Sequence, residues 1–254
     1  MRFTFLGTGT SQGVPVIGCT CDVCLSGDIR DNRLRTSALV EVNGNTFVID
    51  TGPDFRQQML RNTPTDMPKV LFTHEHKDHI AGLDDIRAFN FKYRKPIDIY
   101  ATAQVQEALK REFHYVFSTH KYPGVPEVNL IDISDGKEFT VSDTKILPIR
   151  LMHYKMPVFG FRIENLAYIT DANYIAPEER EKLKNLDVLV LNALRKKEHI
   201  SHFNLEEALE VIAELKPKRA YLTHISHLLG RHEVVSRELP ENVFLSEDGL
   251  TLEL

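Results

Sequence analysis

Lys69-Val70-Leu71-Phe72-Thr73-His74-Glu75-His76-Lys77-Asp78-His79 sets a short apolar run directly before His74, His76, Asp78 and His79. The run reads as a buried strand, so these four potential metal ligands leave its carboxyl end together. An isolated histidine is most often a solvated side chain, but a cluster this dense overturns that reading. Imidazole and carboxylate donors suit Zn, Mn or Fe, and four of them in one loop can be divided between two ions. Working outward, His153 follows a strand expected over 146–152, Asp171 one over 167–170 and His224 one over 219–223. In folds that bind ligands at strand carboxyl ends, these donors meet the first cluster in one crevice. Asp50, ending a strand over 46–50 before Thr51-Gly52, is either a carboxylate that orients a ligand histidine or a turn residue.

The surroundings fit an α/β protein. Further strands are expected over 2–6, 37–42, 158–164 and 188–192, and helical periodicity begins after Asp78 and recurs over 103–113, 177–184 and 205–215. No Ser/Gly linker divides the 254 residues, so one domain over 1–254 is expected. Apolar residues at 42% and charged residues at 26% exclude disordered and coiled-coil classes. A net charge of −5 argues against a broad basic face for nucleic acid. The opening run has neither a signal-peptide core nor a membrane-spanning stretch, so no membrane partner is expected and the cytoplasm is the expected location.

The motif Thr73-His74-Glu75-His76-Lys77-Asp78-His79, followed in order by His153, Asp171 and His224, resembles the THxHxDH signature of the metallo-β-lactamase superfamily. The resemblance covers essentially the whole chain and implies a four-layer αββα sandwich with a two-metal site along one edge. It implies that His74, His76 and His153 hold one divalent cation, that Asp78, His79 and His224 hold another, and that Asp171 bridges them. The expected ions are Zn or Mn, with Asp78 counted in the catalytic set as well.

Cys19, Cys21 and Cys24 lie within six residues, too tight and too few for a disulfide framework. Three thiolates need one more donor for a tetrahedral structural Zn, and His227, three residues beyond His224, is the best placed, with His232 and His120 as competitors. This cluster, the run Leu6-Gly7-Thr8-Gly9-Thr10-Ser11-Gln12-Gly13 and Thr223-His224-Ile225-Ser226-His227 together resemble the PhnP-like branch of the superfamily. That branch comprises cyclic-phosphate phosphodiesterases related to RNase Z and known for hydrolysis of 5-phosphoribosyl 1,2-cyclic phosphate. The resemblance makes His202, in Ser201-His202-Phe203-Asn204, the general acid, with His199 as its competitor.

The expected activity is hydrolysis of a small, cyclic phosphodiester. The alternatives are tRNA 3′-end cleavage of the RNase Z type, or hydrolysis of another ester; no long basic RNA-gripping insertion is evident, and nucleic acid is not an expected partner. A homodimer fits the branch. Lys155 is a phosphate contact or a solvated lysine. Gly7 to Ser11 either approach a phosphate through their amides or form a plain turn. The loops over 89–95 and 113–124 are expected to shape the pocket.

Overall fold

The computed structural model describes residues Met1–Leu254. The first sheet contains β1 (Arg2–Gly7), β2 (Ser37–Val42), β3 (Asn45–Ile49), β4 (Lys69–Leu71), β5 (Ile97–Ala101) and β6 (Val128–Asp132) in that spatial order. The second contains β7 (Phe139–Val141), β8 (Thr144–His153), β9 (Met156–Ile163), β10 (Leu166–Ile169), β11 (Tyr174–Ile175), β12 (Val188–Asn192), β13 (Arg219–Thr223) and β14 (Val243–Leu245), ordered β11-β8-β9-β10-β12-β13-β14 with β7 on β8. A last strand, β15 (Thr251–Glu253), closes on β1 with Phe3 opposite Leu252.

Alternate side chains of a strand face opposite ways, so the continuous apolar strands here demand a partner on each face. In β3, Phe47 and Ile49 enter a core shared with Phe161 and Tyr168 of the second sheet, while Val48 enters a core under the helices. In β12, Val188 and Val190 face the shared core, and Leu189 and Leu191 face the opposite way. Helices α1 (Phe55–Arg61), α2 (Lys77–Ile80), α3 (Arg87–Tyr93), α4 (Ala103–Glu112) and α5 (His114–Phe117) cover the first sheet. Helices α6 (Pro177–Glu181), α7 (Leu205–Leu215) and α8 (His232–Ser236) lie on the second-sheet side, where α7 buries Ala208, Val211, Ile212 and Leu215. Three apolar cores between four layers constitute the αββα sandwich.

The strands over 37–42, 188–192 and 219–223 and the helix over 205–215 fall where the sequence places them. The helix α7 is well marked because Asn204 and Glu207 form a reciprocal capping box, a device whose cap alone contributes about 1 kcal/mol. Other boundaries need correction. The helix expected over 177–184 ends at Glu181, the strand over 70–73 ends at Leu71, and β5, β6, β7, β11, β14 and β15 were absent from the sequence reading.

The helix expected after Asp78 is broken into α2, a 3-10 turn at Leu83–Ile86 and α3. Close packing explains the break: a Cβ on Gly82 would lie 2.1 Å from Gly52 O, and one on Gly52 would lie 2.1 Å from Asp78 O. Only glycines let these backbones meet, and the contact pins the histidine loop to the end of β3.

Candidate metal centre

Strand ends deliver the donors. β4 leads into His74, β10 into Asp171 and β13 into His224, while His153 is the last residue of β8. The Phe159 amide donates to Thr73 O at 3.1 Å, tying the histidine loop of the first sheet to β9 of the second. Asp50, Asp171 and His224 adopt left-handed backbone, at φ 63°, 56° and 54°. Such non-glycine strain persists only where neighbours over-determine it. At Asp171 the neighbour is Asn192, whose buried amide donates to Ala172 O and accepts from Ala172 N, both at 2.9 Å. The sequence reading missed Asn192, although a polar residue closing the apolar run Val188-Leu189-Val190-Leu191 is a signal that could have found it.

Potential ligand atoms of His74, His76 and His153 lie within 4.8 Å of one another, as do those of Asp78, His79, Asp171 and His224. His153 and Asp171 join these groups, since they also form a trio with His202. His74 Nε2 is 3.1 Å from His76 Nδ1, and His79 Nε2 is 3.2 Å from Asp78 Oδ2 and 3.3 Å from Asp171 Oδ2. Despite those two oxygens, His79 Nε2 is buried with no hydrogen bond, because neither contact has hydrogen-bond geometry. A buried imidazole nitrogen that meets two carboxylate oxygens without bonding either fits a shared cation.

The other ring nitrogens are engaged as ligand histidines require. His79 Nδ1 donates to Asp50 Oδ2 at 2.7 Å, and Asp50 also accepts from the amide and hydroxyl of Thr73 at 2.8 and 2.7 Å. His153 Nδ1 donates to Ser201 O at 2.7 Å, leaving Nε2 for the crevice. Asp50 is therefore an orienting carboxylate and more than a turn residue. Exchanging it for asparagine, which tolerates positive φ, is expected to weaken cation affinity roughly 10- to 100-fold. Competition against a chromophoric chelator measures this, and unchanged affinity would remove the orienting role.

Burial raises the Asp171 carboxyl, but the facing His224 and His79 outweigh it and hold the group well below the usual range. Burial lowers His79, yet Asp78, Asp171 and Asp50 raise it well above an ordinary imidazole. For His74 and His153 burial prevails and both are lowered, and His224 falls to about 4. The lowering favours the neutral ring, the state in which imidazole binds metal.

The second cluster is as well defined. Sγ of Cys19, Cys21 and Cys24 lie 3.3, 3.3 and 3.5 Å from His227 Nδ1. One ring nitrogen cannot hydrogen-bond three sulfurs, whereas a tetrahedral zinc with ordinary Zn–S and Zn–N bonds has S-to-N edges of about 3.5 Å. The Cys24 amide and His227 hold the Cys21 thiol down at about 6, favouring thiolate at neutral pH. His232 instead contacts Arg33 at 3.1 Å, and His120 is exposed beside Thr119, so neither competitor joins the cysteines. Cys21→Ser is expected to loosen the His224–His227 loop, lowering both melting temperature and activity without removing an active-site donor. Full stability and activity in that variant would defeat this reading.

His202 reaches the crevice through Phe203, buried with its amide donating to Ala172 O at 2.7 Å. Its Nε2 donates to Asp171 Oδ1 at 3.1 Å. His199 does not face the donor groups; its Nδ1 lies behind, 3.1 Å from His202 Nδ1. Within the Gly7 to Ser11 run, the amides of Gly9 and Thr10 are spent on neighbouring chain, donating to Leu34 O at 2.8 Å and Ile225 O at 3.1 Å. Lys155 lines a cleft beside His76 and His153, with Gln104, Tyr154 and Ile200, none of which the sequence reading named. The loops over 89–95 and 113–124 do not line it. A separate cavity of about 480 Å³, lined by Arg30, Arg33 and Arg61, contains none of these donors.

Residues 45–225 match the family model described as a beta-lactamase superfamily domain. The chain belongs to this superfamily. Within it, the sequence is 38% identical to a crystal structure described as a new diphosphatase from the PhnP family, with a TM-score of 0.93 and coverage of 100% of this chain and 97% of that one. This supports the PhnP-like resemblance directly. A curated octanoyltransferase of Porphyromonas gingivalis is 40% identical over 98% of this chain and 51% of its own length. A ribonuclease Z of Acaryochloris marina is 29% identical over 65% of this chain and 48% of its own. The chain thus spans about half the length of these curated relatives. The chain has the metallo-β-lactamase fold of that superfamily, and no helix in it is long and apolar enough to cross a membrane.

Proposed function

We propose that the protein is a phosphodiesterase that hydrolyses a small, cyclic phosphodiester, its working unit a single domain over 1–254. The observation that carries this reading is His202: an imidazole bonded to Asp171 at the edge of the metal donors. Departure of an alkoxide needs a proton donor there, whereas the thiolate of a thioester leaves without one. Bound at the two donor groups, divalent cations would supply hydroxide near neutral pH and stabilise charge on phosphate oxygens.

His74, His76 and His153 would hold one cation and Asp78, His79 and His224 the other, with Asp171 available to both. The side chain of Asp50 keeps the His79 ring in place, and the Ser201 carbonyl keeps that of His153. The Cys19, Cys21, Cys24 and His227 set holds a structural Zn that braces the His224 loop. His202 gives its proton to the departing oxygen. The names of two of the three relatives support this choice, since a diphosphatase and a ribonuclease both act on phosphorus–oxygen bonds; that of the octanoyltransferase does not.

A substrate panel on Zn- and Mn-loaded protein tests the proposal: bis(p-nitrophenyl) phosphate, cyclic ribose phosphates, a precursor tRNA, a thioester and a lactam. Turnover of the diesters, highest for the cyclic ones, is expected. Specific 3′ cleavage of the tRNA would favour the RNase Z alternative, and thioester or lactam turnover without diester turnover would contradict both. Assembly as a homodimer belongs to the same proposal and is read from the mass in solution.

A further inference from the structure

A cleft of about 570 Å³ opens beside His76 and His153, between the β8–β9 hairpin and the segment at Ile200 and Ser201. The hairpin pairs His153 with Met156, so Tyr154 and Lys155 are its two turn residues. Tyr154 stands at φ 58°, where two-residue hairpin turns usually carry glycine or asparagine. A bulky aromatic in left-handed backbone is strained, and such strain gathers at binding sites. The ring remains 52% exposed on the cleft, with Ile200, 72% exposed, also in its lining.

The two walls are braced against each other. Asn173 Oδ1 accepts from the Tyr154 amide at 2.7 Å, and Asn173 Nδ2 donates to Ile200 O at 3.2 Å. One side chain therefore fixes the spacing between hairpin and opposite wall, and the bond from His153 to Ser201 O repeats the brace one residue nearer the donors. Lys155 Nζ lies over the Tyr154 ring, 5.2 Å from its centre, a cation–π contact on one face of the ring, and forms no ion pair. Glu75, the carboxylate bonded to the lining, accepts instead from Gln104.

A fixed cleft with an aromatic ring, an aliphatic face and an ammonium that no carboxylate neutralises suits a flat ring system bearing an anion, the base taking the ring face that Lys155 leaves open. Base-on-aromatic stacking and a lysine point charge on phosphate are the corresponding interactions. We propose that this cleft binds the non-scissile part of the substrate, and that this part is a nucleoside with a second phosphate: the base lies against Tyr154 and Ile200, and the second phosphate against Lys155. The proposal rests on the phosphodiesterase reading and narrows it from a sugar ester without a base to a nucleotide.

Binding tests it without turnover. On Zn-loaded protein, titration calorimetry is expected to show adenosine 5′-monophosphate binding at least about 10-fold more tightly than ribose 5-phosphate, and adenosine 3′,5′-bisphosphate at least about 10-fold more tightly again. Tyr154→Gly relieves the strained backbone, so it folds, and it should bring the first ratio close to one while Tyr154→Phe preserves it. Lys155→Ala should do the same to the second ratio and Lys155→Arg should preserve it. Ratios near one in the wild type, or ratios untouched by Tyr154→Gly and Lys155→Ala, overturn the proposal. The phosphodiesterase reading fails separately: a protein that binds in this order yet hydrolyses no diester loses the reading, and one that hydrolyses diesters with ratios near one loses only the subsite.

Discussion

Asp171→Asn is expected to lower phosphodiester turnover by on the order of 10⁴-fold or more, because it removes the charge shared by the two donor groups. Asp171 Oδ2 lies 3.3 Å from His79 Nε2 and 3.2 Å from His224 Nδ1, while Oδ1 accepts from His202. Asparagine keeps the volume and suits the backbone at φ 56°, so the fold should survive and the loss should be chemical. The variant should retain the cation of the cysteine cluster and lose at least one of the other two, as read by elemental analysis beside the circular dichroism melt. Wild-type turnover with a full metal complement would show that Asp171 is not the shared ligand.

His202→Ala should lower turnover roughly 10²- to 10⁴-fold on substrates with an alkoxide leaving group, the usual span for acid–base assistance. The ring is nearly parallel to His224, with centres 5.0 Å apart and planes at 14°, and stands edge-on to His153 at 4.6 Å. A proton donor at Nε2 thus sits on the margin of the donor groups. The dependence on leaving group separates acid from ligand. A nitrophenolate departs without a proton, so the loss should shrink on bis(p-nitrophenyl) phosphate and stay large on a cyclic ribose phosphate. An equal loss on both, accompanied by lost metal, would make His202 a ligand in the trio it forms with His153 and Asp171. His199→Ala should be milder, since its ring lies behind His202.

The donors were legible in the sequence because each follows an apolar strand, and strands of a sandwich end along one edge. Composition could not have shown this; the order of His74, His76, Asp78, His79, His153, Asp171 and His224 along the chain could. The tetrad of Cys19, Cys21, Cys24 and His227 was legible for a related reason: His227 lies three positions beyond His224, so one loop serves both clusters. What escaped depends on long-range contact. Gly52 against Gly82 breaks a helix that local periodicity runs together, and Asn192 clamps Asp171 from a neighbouring strand. Tyr154 gave no signal, since a tyrosine in a hairpin becomes unusual only when its φ is known. The Gly7 to Ser11 run shows the converse, a phosphate-like pattern in which the Gly9 and Thr10 amides are spent on neighbouring chain.

Anomalous diffraction from crystals of the zinc-loaded protein, recorded on both sides of the Zn edge, tests the central claim most directly. Three peaks per chain are expected: one among Cys19, Cys21, Cys24 and His227, and two roughly 3.5 to 4 Å apart with Asp171 between them. Absence of both paired peaks, or a single ion on His74, His76 and His153 with Asp78, His79 and His224 empty, would contradict it.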